Sequence, residues 1–128
     1  MGLGIFDEHS PINPMVALTI ADTTVPAYLT QGGNRGSRID AIMLTSSAAG
    51  SVDVKVVLDN GTAYVLGTVA VPAGAGLTSA VPAVDAFSVF PIAPGGLVLG
   101  SGTTLKVGVT VTLGAAEVVG VLAFGGEF

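Results

Sequence analysis

The chain holds a single imidazole, His9, in the run Asp7-Glu8-His9, where neighbouring carboxylates and imidazole could supply half of a metal site. A structural metal centre needs more ligands than that, and there is no second histidine and no cysteine to complete the set. A Ser-His-Asp system would need the same His9 held rigidly between a serine and an acid. Pro11 and Pro14 follow closely and push the residues before them out of the helical region, so His9 lies on an extended segment and not on a scaffold. Two carboxylates facing each other could hydrolyse glycosides, and Asp53 with Asp59 or Asp40 with Asp85 are the pairs to weigh. Sugar clefts also need aromatic platforms, and the chain has no Trp and two Tyr. Asp22, Asp40 and Asp59, each near a loop, could join carbonyl oxygens around calcium, but the spacing of a calcium loop is missing. The runs Gly32-Gly33-Asn34-Arg35-Gly36 and Ala73-Gly74-Ala75-Gly76 lack the lysine and following helix of a phosphate-binding loop, so they are read as turns. No catalytic residue, no metal site and no cofactor is expected.

Cations are scarce enough to be informative. Nine carboxylates stand against Arg35, Arg38, Lys55 and Lys106, giving a net charge of −5. Four dispersed cations cannot neutralise a run of phosphates, which argues against nucleic acid as a partner. Arg35 and Arg38 flank the start of one segment and support two readings: forked contacts to a partner subunit, or charges that keep an edge strand from unwanted pairing.

The composition points to strands. Half of the residues are apolar and only 10% are charged, against about a quarter in ordinary domains. Nineteen glycines and seven prolines cut the chain into short pieces, and the length suits one domain. Mean hydropathy is +0.79, which raises the question of a membrane. The most apolar window, Val107 to Gly125, contains four glycines, many β-branched residues and Glu117 near its middle, so a spanning helix is not expected. A surface covered by neighbouring subunits explains the hydropathy better. The opening MGLGIFDEHSPINP lacks a basic stretch followed by an apolar one, and no secretory leader is expected in it.

Residues 1–14 read as an extended N-terminal arm whose apolar Leu3, Ile5, Phe6 and Ile12 would lie against the domain or a partner. A single β domain would follow over 15–128. Its clearest unit is Ser51 to Pro72. Val52, Val54, Val56 and Leu58 alternate with Asp53, Lys55, Val57 and Asp59; Asn60-Gly61 signals a hairpin; Ala63 to Val71 returns; and Pro72 stops the ladder. The polar positions Asp53, Lys55 and Asp59 make a face suited to water. Further strands are read at Met15–Ile20, Val25–Thr30, Ser37–Ser46 and Leu97–Leu99, with one helical turn or an irregular strand at Val84–Phe90. Leu105 to Leu113 alternates most clearly of all, and Leu113 to Ala116 turns it into a closing strand, Glu117–Phe124, more uniformly apolar, as a strand covered on both faces would be. This makes about eight short antiparallel strands with regular turn signals, the pattern of an all-β sandwich, jelly-roll-like or immunoglobulin-like.

The succession GSRIDAIMLTSS, VKVVLDNGTAYVLGTVAVPAGAG, LVLGSGTTLKVGVTVT and VVGVLAFGGEF resembles small structural proteins of tailed bacteriophages, in particular the β-sandwich decoration (cement) proteins of icosahedral capsids. The likeness runs from about Gly36 to Phe128 and leaves the arm outside. It implies a non-enzymatic, often homotrimeric protein on the outer capsid surface of the virion, assembled in the host cytoplasm. Its partners would be the major capsid protein and further copies of itself, with no nucleic acid and no membrane. Leu3, Ile5, Phe6 and Ile12 would then be arm contacts, and Arg35 and Arg38 interface cations. Two other roles fit the same strands: a tail, baseplate or fibre part of the virion, and a receptor- or carbohydrate-binding module, which the shortage of Trp and Tyr disfavours.

Overall fold

A computed structural model describes residues 10–89, 92 and 96–128. Among them the chain is all-β. Ten strands form two antiparallel sheets: β1 (Ser10–Ile12), β2 (Met15–Leu18), β3 (Ala27–Gln31), β4 (Ser37–Ser46), β5 (Val52–Asp59), β6 (Ala63–Val71), β7 (Val84–Asp85), β8 (Leu97–Leu99), β9 (Thr104–Val109) and β10 (Val119–Glu127). Among the described residues the only helical pieces are single 3-10 turns at Ile20–Asp22 and Ala86–Ser88. The first sheet is built on the β10–β4 pair. β1 and β2 share the far edge of β10, while β7 and β8 share the far edge of β4. The second sheet runs β3-β9-β5-β6. Two edges are therefore split, and ten strands fill the eight or so positions that the turn signals imply.

The inner faces close over one core. β4 supplies Ile39, Ile42 and Leu44, β5 supplies Val54 and Val56, β9 supplies Leu105, Val107 and Val109, and β10 supplies Val119, Val121 and Ala123. In β4 the inward positions change from odd to even because Asp40 is an extra residue: Phe124 pairs with Ala41 but Gly125 pairs with Ile39. The bulge turns Ile42 inward where strict alternation would turn it out. It also leaves Arg38 and Asp40 side by side outside, joined at 2.8 Å.

Several expected boundaries move, each for a local reason. Of the expected arm, residues 1–9 lie outside the described residues. Ser10–Ile12 is extended but lies on this domain's own sheet, opposite Glu127, Gly126 and Gly125, and the Pro14 carbonyl accepts from the Ala123 amide at 2.9 Å. The strand expected from Leu105 to Leu113 stops at Val109, opposite Val54, although β5 continues to Val52: Thr110 still donates to the Asp53 carbonyl, and Val111 then swings into solvent. The β5–β6 hairpin forms as expected, but Asn60 does not take positive φ. Only Gly61 does, at 113°, in a loop from Asn60 to Thr62 closed by the Asp59 carboxylate, which accepts from the Gly61 amide at 2.8 Å. The Val84–Phe90 segment combines both expected forms. Its two-residue strand leads into a 3-10 turn capped by the Asp85 carboxylate on the Phe87 amide.

Candidate functional site

The acidic residues that could have done chemistry are engaged in holding the backbone. Asp22 closes a capping box with Thr19, accepting its amide at 2.6 Å. Asp40 holds Arg38, and Asp85 caps its turn. Glu117, the carboxylate in the most apolar window, accepts from the amides of Gly114 at 2.7 Å and Ala49 at 3.3 Å, so it shapes the loop ahead of β10. Asp53 and Asp59 sit at opposite ends of β5, six residues or roughly 20 Å apart, too far for the paired carboxylates of a glycosidase. Among the described residues no group of three His, Cys, Asp or Glu could hold a metal ion. No described helix is long and apolar enough to cross a membrane.

What the fold does build is two outer faces of opposite character. On the second sheet, the outward positions of β5 and β9 carry Asp53, Lys55, Asp59 and Lys106, including both lysines of the chain. Lys106 reaches Asp59 at 2.9 Å across two strands. That ammonium first, and the Gly61 amide second, hold the Asp59 carboxyl below the usual carboxylate range. A carboxylate depressed in the folded state stabilises the fold above its unfolded pKa, and the contribution is lost as pH falls through the folded value. The Asp59→Asn protein is therefore expected to lose less stability than the parent as pH falls below about 4. Thermal melts across that range check it, and identical slopes would refute it.

On the first sheet, outward residues from four strands line up in one row: Met15 of β2, Leu122 of β10, Met43 of β4 and Asp85 of β7, each opposite the next. Small residues flank the row, with Ala17, Gly120 and Thr45 on one side and Ala41 beside Phe124 on the other. Long side chains between short ones leave a shallow depression of about 540 Å³ lined by Met15, Met43, Leu122, Ala17, Thr45 and their neighbours, none of them charged. Met15 on the edge strand β2 is 71% exposed, and Phe124 on β10, between two neighbouring strands, is 41% exposed. The nearest charges are Arg38 and Asp40, which neutralise each other, and Asp85, turned to its cap.

The residues singled out in the sequence fall elsewhere. Leu3, Ile5 and Phe6, like Asp7, Glu8 and His9, lie outside the described residues. Ile12 is half-buried opposite Gly125 and packs against the domain's own core. Arg35 is exposed in the loop after β3, where it lines a second depression, of about 490 Å³, with Ser10, Asn34, Glu127 and Phe128. Arg38 stands at one end of the apolar face, opposite Gly126 and Val98. Arg38 is not among the residues that line that second depression. Met15, Met43, Leu122 and Phe124 were not singled out, although one signal pointed to them. The closing strand is apolar at both parities, and only one of its faces is covered within the domain.

Compared with known proteins, the chain matches no family model, no curated protein and no solved structure.

Proposed function

We propose that the chain is a non-enzymatic virion structural protein that decorates and stabilises a bacteriophage capsid by bridging coat subunits. The observation that carries this reading is the contrast between the outer faces: one apolar across β2, β10 and β4, the other holding both lysines beside Asp53 and Asp59. A domain seated on a shell needs one side that leaves water and one that stays in it. The Met15–Leu122–Met43 row goes against the coat, and the Lys55–Lys106 face points outward. Merging the split edges gives a strand order of 1-8-3-6 in one sheet and 2-7-4-5 in the other, which we read as jelly-roll wiring, an arrangement that recurs in viral capsid domains. That support is at the level of fold alone. The resemblance to decoration proteins over Gly36–Phe128 adds to it, with a homotrimer as the implied assembly.

The test is direct. Purified protein mixed with undecorated phage heads should co-sediment with them and raise the temperature at which the shells burst; free protein and unchanged shells would end the proposal. The arm is tested by truncation after His9 and not after Pro14, because the longer deletion would strip β1 and the Pro14 carbonyl from the edge of β10. Removing Met1 to His9, with Leu3, Ile5 and Phe6, should weaken head binding while thermal unfolding is unchanged. Full binding by the truncated protein would exclude the arm as a contact.

A further inference from the structure

A sheet edge exposes unpaired amides and carbonyls, and soluble proteins protect such edges with short strands, prolines, charges or bulges. Three of the four edges here are protected in those ways. The β10 edge is covered by strands of three and four residues, with Pro11 inside the first and Pro14 between them. The β4 edge carries strands of two and three residues. β3 has five residues, follows Pro26 directly and bulges at Leu29 between the Tyr28 and Thr30 pairings.

The fourth edge is different. β6 runs for nine residues, AYVLGTVAV, without a charge or a proline. One irregularity at Leu66 precedes an unbroken run, Gly67 to Val71, and among the described residues nothing pairs with its outer side. Thr68 and Ala70 in that run point to solvent, while Val69 and Val71 are buried in the core.

We propose that β6 is a pairing edge through which two copies of this chain join, strand against antiparallel strand about a two-fold axis. Elimination selects the occupant. Sheet-edge association between copies needs a free edge on each, and β6 is the one described edge that offers a long one. A two-fold contact sets the same strand against itself, so a charge near the axis would lie beside its own copy. β6 carries none. Centring the pair on Val69 sets Thr68 opposite Ala70 of the other copy, two small side chains that leave room for the backbones to approach to ladder distance. This contact does not depend on the capsid reading, because it is measured on the protein alone.

Sedimentation equilibrium of the full chain over a wide concentration range should give an even-numbered association: a dimer, or a doubling of whatever smaller assembly is present. Ala70→Lys sets a cation at the edge, opposite Asp53 of its own sheet, so the fold is kept, and it should weaken the association about tenfold or more. Amide exchange in Gly67–Val71 supplies a readout that needs no variant: it should slow as the concentration of the parent protein rises. A mass that does not double and β6 exchange rates independent of concentration would overturn the proposal, whatever extended partner β6 meets elsewhere.

Discussion

Replacing Gly125 with alanine is expected to destabilise the domain by about 3 kcal/mol, a large fraction of the stability of a domain of this size. Gly125 has no positive φ, so its role is proximity and not backbone conformation. It lies opposite Ile39 where the Asp40 bulge bends β4 toward β10, and a Cβ there would overlap the Arg38 carbonyl oxygen. The obstacle is backbone, inside the pairing that joins the two longest strands of the sheet, and it cannot rotate away as a side chain could. Gly50→Ala is the matched control, because a Cβ at Gly50 meets nothing within 4 Å and its φ is ordinary. Urea unfolding midpoints should fall steeply for Gly125→Ala and stay within about 0.5 kcal/mol of the parent for Gly50→Ala. Equal midpoints for the two variants would show that the bulge tolerates a side chain and that the close approach is not needed.

Placing a carboxylate in the apolar depression is expected to reduce binding to phage heads about 100-fold or more while leaving the domain folded. Leu122 and Met43 face outward and are only half-buried, so Leu122→Asp and Met43→Asp put the new charge in water in the free protein. Against the coat the same charge must be desolvated with no cation facing it, because Arg38 is already held by Asp40. An unpaired charge buried in this way costs about 3 kcal/mol or more, which corresponds to the stated loss. Lys55→Ala, on the other sheet, should bind as the parent does. Titration of labelled protein onto heads distinguishes the faces. Loss of binding with Lys55→Ala, and none with Leu122→Asp, would reverse the proposed orientation of the domain.

How far the chain could be read without its fold follows from the range of each interaction. Ser37–Ser46 and Ala63–Val71 appear at the limits that patterning and Pro72 set, because alternation and a missing amide are local properties. Short edge strands were harder. β1 has three residues and β7 two, and nothing in SPI or VD favours a ladder until Glu127 or Met43 stands opposite. The end of β9 at Val109 was hidden too, since the alternation runs on to Leu113 while the ladder with β5 stops opposite Val54. The Asn-Gly signal located the hairpin, while the form of its loop depends on the Asp59 carboxylate that accepts from the Gly61 amide.

The candidate face was half-legible. That the closing strand is apolar at every position can be read directly from VVGVLAF. Which of its faces the domain itself covers cannot be, because the answer depends on β4 and β2 lying beside it and on the second sheet covering only the inner side. The polar face of β5 was legible as Asp53, Lys55 and Asp59, yet its ion pair was not: Lys106 lies 47 residues along the chain from Asp59 and reaches it only because β9 pairs with β5. The sequence by itself determined an all-β chain of short strands, the β5–β6 hairpin and the absence of any cysteine metal site, since residue type and period decide these. Tertiary structure alone decided the order of the strands, the bulge that turns Ile42 inward, and the separation of an apolar outer face from a charged one. Those depend on contacts between residues far apart in the chain, and no local pattern specifies them.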